Sequence, residues 1–151
     1  MKVIVDSLDH SDVLALLREH LEDMNATSPP ESVHALDVSS LKEPSVTFWS
    51  GWQGEELLGC VALKSLDAEH GELKSMRTAS AARKSGVGSK MLSHVLGHAK
   101  QVGMKRVSLE TGSMEYFAPA RALYEKFGFE YCEPFADYQV DPNSQFMTIT
   151  L

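Results

Sequence analysis

Apolar residues recur three or four positions apart in several stretches of the chain, and this spacing predicts amphipathic helices. The predicted helices cover residues 11–24, 31–36, 87–102 and 120–126. The first carries an apolar stripe of Leu14, Leu17, Leu21 and Met24, and the third carries a longer one of Val87, Met91, Leu92, Val95, Ala99 and Val102. Capping and breaking residues agree with these ends, because Ser11-Asp12 can cap the first helix, Pro29 follows it, and Gly103 and Gly128 stop the last two.

Other stretches are rich in β-branched and aromatic residues and are bounded by turn residues, which predicts strands. The predicted strands cover residues 2–6, 46–52, 57–66, 72–78, 106–111, 129–132 and 146–151. Gln53-Gly54-Glu55 is short enough to join two of them as a hairpin, and hairpins outnumber β-α-β units. The pattern predicts a mixed α/β (α+β) fold in one domain of residues 1–151. Its mostly antiparallel sheet has six to seven strands, with about four helices on both faces.

The composition narrows the classes of partner. The chain has 151 residues, 43% of them hydrophobic, and a formal net charge of −7, which argues against nucleic acid or an anionic membrane surface as the main partner. No apolar run approaches the ~20 residues needed to cross a bilayer. Residues 1–6 do not resemble a signal peptide, and Cys60 and Cys132 are expected to be buried free thiols, so we predict a cytoplasmic protein.

A glycine-containing turn precedes the third helix and is the first candidate site. Gly86 and Gly88 lie where the helix begins, so unpaired backbone N–H groups and the positive end of the helix dipole meet there. Arg83, Lys84 and Lys90 add positive charge. This is a place for a phosphate, most simply a pyrophosphate, although a glycine-rich helix cap is the simpler interpretation. The spacing fits neither a P-loop nor the Rossmann fingerprint.

Two motifs resemble those of the GNAT superfamily of N-acetyltransferases. The first is R-x-x-G-x-G after the strand segment L-K-S-M-R-T, where Thr78 replaces the family's usual Val, Ser80 its Pro and Lys84 its first glycine. The second is A-x-x-L-Y-x-x-x-G-F, matched by Ala120, Leu123, Tyr124, Gly128 and Phe129. The family's usual Asn seven residues before the tyrosine is Phe117 in this chain.

The resemblance implies the GNAT fold and acetyl-CoA as the acyl donor, with no metal. The pyrophosphate would be held by Arg83, Lys84, Ser85, Gly86, Val87, Gly88 and Ser89. The preceding strand would bulge and splay from residues 106–111, so that the Met76 N–H faces the thioester carbonyl and Thr78 bonds the pantetheine arm. Tyr124 would be the general acid that protonates the leaving sulfur, although its spacing alone also fits a core aromatic residue.

The acceptor side is less defined by the sequence. Glu72 opens the strand that leads to the thioester and is the predicted general base, acting through water; a solvated strand-end carboxylate is the alternative, and His70 or His20 could be the base instead. Arg77 would suit an acceptor that carries a carboxylate, or it forms a salt bridge. His94 and His98 lie four residues apart without an apparent third ligand, which favours a solvated face over a metal site.

These observations predict an enzyme that moves the acetyl group of acetyl-CoA to the amine of a small molecule, with the acceptor carrying a carboxylate in one version. Attack is expected to be direct, in a ternary complex, because neither cysteine lies in the motifs. A protein N-terminus or lysine is the alternative acceptor, and an acyl-CoA-binding sensor without turnover is the alternative of another class. Pairing of the end strands is a route to a homodimer.

Overall fold

The computed structural model describes residues 1–29, 38–83 and 85–151, so the predicted helix at residues 31–36 and Lys84 lie outside the described residues. The described helices are α1 (Ser11–Thr27), α2 (Val38–Leu41), α3 (Val87–Gln101) and α4 (Ala118–Lys126), with single 3-10 turns at Ser80–Ala82 and Glu115–Phe117. Within these residues, no helix is both long and apolar enough to cross a membrane.

Seven strands form one sheet. They are β1 (Lys2–Val5), β2 (Val46–Gln53), β3 (Glu56–Ser65), β4 (His70–Thr78), β5 (Arg106–Gly112), β6 (Glu130–Tyr131) and β7 (Ser144–Thr150). The spatial order is β1-β2-β3-β4-β5-β7-β6, and every neighbouring pair is antiparallel except β4 and β5. This confirms the predicted mixed and mostly antiparallel sheet.

Helices cover both faces of the sheet because the strands are apolar on both sides. Along β3, Val61 and Leu63 belong to a core cluster with α3, whereas Cys60 and Ala62 belong to a second cluster with α1 and α2. A strand places alternate side chains on opposite faces, so one buried strand supports two cores. Cys60 is thus a buried free thiol, as predicted, whereas Cys132 is free but only half-buried.

The predicted apolar face of α3 is confirmed for all but its last member, since Val87, Met91, Leu92, Val95 and Ala99 are buried. Val102 is 53% exposed, and its assignment to that face was wrong. The helix ends at Gln101, and the chain turns away through Gly103, whose φ of +88° favours glycine.

Two details of α1 also differ from the prediction. The cap is His10, whose Nδ1 accepts a hydrogen bond from the Asp12 N–H at 3.1 Å, and not Ser11. The buried face consists of Val13, Leu16 and Leu17, so the predicted stripe was correct only at Leu17. The other three stripe residues are half-buried.

The feature that positions the site is a bulge in β4. Cys60 pairs with Arg77 and Ala62 pairs with Lys74, so two β4 residues, Ser75 and Met76, oppose a single β3 residue. Ser75 has a φ of +53°. Pairing of β4 with β5 stops at Leu73 and Leu109, while β5 continues to pair with β7 as far as Gly112. Beyond the bulge the two parallel strands therefore splay apart, as the resemblance implied.

Phe117 fixes the wall of this gap through contact with a glycine. A Cβ on Gly112 would lie 2.1 Å from Cδ2 of the buried Phe117 ring. The absence of a side chain at the end of β5 therefore lets the ring pack against the strand. Arg121 of α4 strengthens the same junction, because its guanidinium donates to the Gly112 carbonyl at 2.6 Å.

We predict that Gly112→Ala lowers the free energy of unfolding by roughly 1–3 kcal/mol, because the added methyl group overlaps the Phe117 ring. Gly97→Ala is the matched control: a Cβ added to this helical glycine would have no atom within 4 Å, and alanine should stabilise α3 by up to about 1 kcal/mol. Urea unfolding of both variants measures the difference. Equal stabilities would show that Phe117 is not packed against β5 in this way.

Candidate active site

The splayed strands open into two adjoining cavities. The larger has a volume of about 550 Å³ and extends from the glycine turn to Tyr124. Its lining includes most of the predicted site residues: Met76, Arg77, Thr78, Arg83, Gly86, Val87, Gly88, Ser89 and Tyr124. Ser85 is not part of this lining and instead donates its hydroxyl to the Ala82 carbonyl, and Lys84 lies outside the described residues.

The smaller cavity has a volume of about 100 Å³ and lies on the other side of Met76 and Tyr124, which line both. Glu72, Ser75 and Glu110 line only the smaller one. The hydroxyl of Ser75 is buried and has no hydrogen-bond partner among the described residues. A strained backbone and an unpaired hydroxyl at one cavity wall are typical of a place where a ligand binds.

The glycine turn presents the start of α3 to the larger cavity. Gly86 is the N-cap and has a φ of +84°, a conformation that favours glycine. Gly88 lies in the first turn, where a Cβ would come within 3.1 Å of Leu123 Cδ2 and 3.5 Å of Met76 Cε. The free N–H groups of a 15-residue helix and the side chain of Arg83 thus border the cavity, and this donor set fits a diphosphate.

Tyr124 is buried between the cavities, with 7% of its surface exposed. Its ring packs on Phe129 in the core, and its hydroxyl lies 4.0 Å from Met76 Sδ. Burial, together with the negative charge of Glu110, raises the pKa of the phenol to about 12. Tyr124 is therefore both a core aromatic residue and a protonated donor at the junction of the cavities.

Glu72 lies in the smaller cavity but is not the solvated strand-end carboxylate of the alternative interpretation. Its side chain is 5% exposed, and Oε2 accepts hydrogen bonds from Lys74 Nζ at 3.1 Å and from the Tyr138 hydroxyl at 2.5 Å. Burial and the nearby Glu72 carboxylate raise the pKa of Tyr138, which keeps that phenol a donor. The role of Glu72 as general base stays a prediction.

Glu110 is a site residue that the sequence reasoning missed. It lies on β5 one residue beyond the last β4–β5 pair, and its Oε2 accepts a hydrogen bond of 2.6 Å from Ser144 Oγ. Burial raises the pKa of this carboxyl from 4.5 to about 7, against the opposing effect of Ser144. A signal existed in the sequence: Val107 and Leu109 alternate with Ser108 and Glu110, which places a carboxylate on the face of β5 opposite these two apolar residues.

Arg77 pairs with carboxylates of α1. Its guanidinium NH2 group donates to Glu19 Oε1 at 2.5 Å and to Asp23 Oδ2 at 2.6 Å, and the Tyr116 hydroxyl donates to the same Asp23 oxygen at 3.0 Å. The salt-bridge alternative is thus confirmed. An acceptor's carboxylate would have to displace two protein carboxylates, so the structure does not support that role for Arg77.

Two histidines were alternative candidates for the base. His20 of α1 lines both cavities, but burial and the charge of Arg77 lower its pKa to about 4, so it is neutral at physiological pH. His70 bonds Ser108 Oγ at 2.7 Å and is not among the cavity-lining residues. Neither histidine therefore combines a place in the cavities with an ordinary pKa.

His94 and His98 lie on α3, away from the cavities. His94 is exposed and His98 is half-buried, and both pack edgewise on Trp49, so the predicted solvated face is only partly solvated. The described residues contain no cluster of three metal-ligating side chains.

Comparison with known proteins agrees with this architecture. Residues 13–129 match the model of the acetyltransferase (GNAT) family. The chain is 55% identical over 148 residues to an uncharacterized N-acetyltransferase of Bacillus subtilis, covering 98% of each sequence. Among solved structures, one assigned as an acyl-CoA N-acyltransferase of Klebsiella pneumoniae superposes with a TM-score of 0.82 at 27% identity, covering 99% of this chain and 97% of that one.

A more distant structure has the same fold with the donor present. This GNAT family acetyltransferase from Elizabethkingia anophelis, with acetyl-CoA bound, has a TM-score of 0.69 and 18% identity, covering 99% of this chain and 97% of that one. The family match over most of the chain and the near full-length relative lead to one conclusion. The protein belongs to the GNAT family and is an acetyltransferase.

Proposed function

We propose that the protein transfers the acetyl group of acetyl-CoA to the amine of a small molecule. One observation supports this most directly: Met76 and Tyr124 line both cavities, so the helix start, the larger cavity, Tyr124 and the smaller cavity lie in that order along one path. Such a path accommodates a donor that is anchored by its phosphates at one end and meets an acceptor at the other. The thioester supplies the activated acetyl group.

The residues of this chain would hold the donor at three points. The backbone N–H groups from Gly86 to Ser89 and the side chain of Arg83 fit the pyrophosphate. The unpaired edge of β4 at Thr78 fits the amide groups of the pantetheine arm, in the manner of an added strand. The Met76 N–H, at the bulge, would stabilise the negative charge that develops on the acetyl oxygen, a contribution commonly worth about 3 kcal/mol.

Tyr124 would assist departure of the sulfur. A phenol with a pKa of about 12 is a weaker acid than an ordinary thiol, so it does not simply hand over its proton. It can donate a hydrogen bond that strengthens as negative charge gathers on sulfur. It can also pass on the proton released by the acceptor nitrogen after attack. Both roles require the hydroxyl group, so phenylalanine at this position can perform neither.

The smaller cavity favours a small amine as the acceptor. Its volume is about 100 Å³, and the carboxyl groups of Glu72 and Glu110 suit an ammonium ion. Arg77, the predicted partner of a carboxylate on the acceptor, is instead paired with two carboxylates of α1. Among the described residues that line the smaller cavity, Lys74 is the one lysine or arginine, and its ammonium group already binds Glu72. The acceptor is therefore an amine without a required carboxylate.

We predict that Gly86→Ala weakens coenzyme A binding about tenfold, because alanine disfavours the left-handed conformation that starts α3. Gly54→Ala is the matched control: this glycine also has a positive φ and open space around its Cβ, but it lies in the β2–β3 turn. Titration calorimetry with coenzyme A measures both. If the unmodified protein gave no heat of binding with coenzyme A, the proposal that it uses acetyl-CoA would be contradicted.

We predict that Tyr124→Phe lowers kcat by about 10²–10⁴-fold while the affinity for coenzyme A is kept, because only the proton donor is lost. Tyr131→Phe is the control, since this tyrosine is half-exposed on the edge strand β6 and bonds Glu125. Thiol release from acetyl-CoA with a panel of small amines gives the rates.

Three outcomes of that assay would change the assignment. An unchanged kcat for Tyr124→Phe removes the tyrosine from its role. Coenzyme A binding without thiol release for any amine points to a sensor. Release only with peptides that offer an N-terminus or a lysine points to a protein acceptor.

A further inference from the structure

The smaller cavity contains two carboxyl groups that are held in different ways. Glu72 lies on β4 before the bulge, in the part of the strand that still pairs with β5. Glu110 lies on β5 past the last such pair, where the strands have separated. Both residues line the cavity, so the position of each relative to the gap decides which of them can meet an acceptor.

Glu72 is already committed to the protein. Its Oε2 receives both the Lys74 ammonium and the Tyr138 hydroxyl, and its side chain is almost fully buried. Tyr138 comes from the segment between β6 and β7 and packs on Phe135 and Phe146. Glu72 thereby anchors Tyr138, which lines the cavity.

Glu110 has the position that an acceptor base needs. It lies at the open part of the gap, it lines the same cavity as Tyr124, and its charge influences the Tyr124 phenol. Its described hydrogen bond comes from the hydroxyl of Ser144, which orients the carboxyl without neutralising it. The unpaired Ser75 hydroxyl on the facing strand is a second polar group at the wall of this cavity.

We infer that Glu110, rather than Glu72, accepts the proton of the acceptor's ammonium group. This rests on the proposed function, and it assigns Glu72 to positioning. In the full reaction the acceptor nitrogen loses two protons. One goes to Glu110 and then to solvent, which leaves the nitrogen lone pair free to form the new N–C bond. The other leaves after attack and ends on the sulfur, through Tyr124, as the C–S bond breaks.

In this environment Glu110 accepts a proton from the ammonium group more readily than an ordinary carboxylate does. Burial raises its pKa from 4.5 to about 7, which brings it more than two orders of magnitude closer to an alkylammonium ion with a pKa near ~10. Other titratable groups line the same cavity: Glu72 and Lys74 of β4, His20 of α1, Tyr124 of α4, and Tyr138. Asp141, just before β7, also influences the pKa of Glu110. Lys74 opposes the rise in pKa, whereas Glu72 and Asp141 add to it.

The pH dependence of kcat/KM for a small amine, at saturating acetyl-CoA, tests the assignment. Activity should rise with pH through about 7 as Glu110 loses its proton, and then level off. Glu110→Gln should lower kcat/KM by about 10²–10⁴-fold. It should also remove the rise near pH 7, the acidic limb of the profile, so that kcat/KM increases with pH up to the pKa of the acceptor. Glu72→Gln should keep that limb whatever its rate. A limb that survives in Glu110→Gln, or disappears only in Glu72→Gln, overturns the inference.

Ser144→Ala adds a test that a merely structural role would not pass. The Ser144 hydroxyl stabilises the charged form of Glu110, so its removal should raise the pKa of the carboxyl further. The limb should therefore move to higher pH. A shift to lower pH, or no shift, would contradict the assignment of the limb to Glu110.

A measurement without substrate separates this inference from the proposed function. In the folded protein the pKa of Glu110 lies above its ordinary value, so stability falls as pH rises from about 4.5 to 7. Relative to the unmodified protein, Glu110→Gln should therefore gain stability between about pH 4 and pH 8, by up to about 300-fold in the folding equilibrium. Glu55→Gln, at an exposed turn, is the control.

The combined results have distinct meanings. A stability gain at Glu110 with no thiol release from any amine removes the proposed function but leaves the perturbed carboxyl. Thiol release with a normal pH profile in Glu110→Gln removes the inference and leaves the function. Coenzyme A titration of each variant shows that the donor cavity is intact.

Discussion

The loss of pairing between β4 and β5 is the constraint on which the rest of the structure depends. Parallel strands normally continue side by side, yet here an extra residue at Ser75–Met76 bends β4 away while β5 remains bound to β7. The unpaired groups of both strands must then be satisfied by something else. Both cavities, the junction at Tyr124 and the approach from the glycine turn follow from that single irregularity.

Most of the fold could be predicted because its elements have regular patterns. Alternating strands and the apolar face of α3 depend on local sequence, and so does the stop at Gly103. Some failures lie at the ends of elements, where regular spacing no longer applies, and one lies inside α1, where the buried face is Val13, Leu16 and Leu17 rather than the predicted stripe. Val102 is the residue after the helix, and His10 replaced a serine as the cap because an imidazole nitrogen can accept the same hydrogen bond.

The site could be predicted only in part. The glycine turn and Tyr124 were found because they belong to motifs, and both line the larger cavity. The partners of Arg77 were not, since Glu19 and Asp23 precede it by 58 and 54 residues and no local pattern connects them. Glu110 was missed for a related reason. Its position beside the gap depends on where β4 leaves β5, and that is a property of the sheet rather than of either strand.

Two residues of the central strand β4, Arg77 and Glu72, hold the walls of the smaller cavity, which is the proposed acceptor site. Arg77 ties α1 to β4 through two carboxylates, and Glu72 ties the Tyr138 segment to the same strand. These charged or short hydrogen bonds add to the apolar packing that holds α1 and Tyr138 on the sheet. Side chains on these walls, such as Met24 on α1, could change without disturbing the bulge or the glycine turn. The proposed donor half and the proposed acceptor half are therefore physically separable, since the first is built mainly on backbone geometry and the second on side chains.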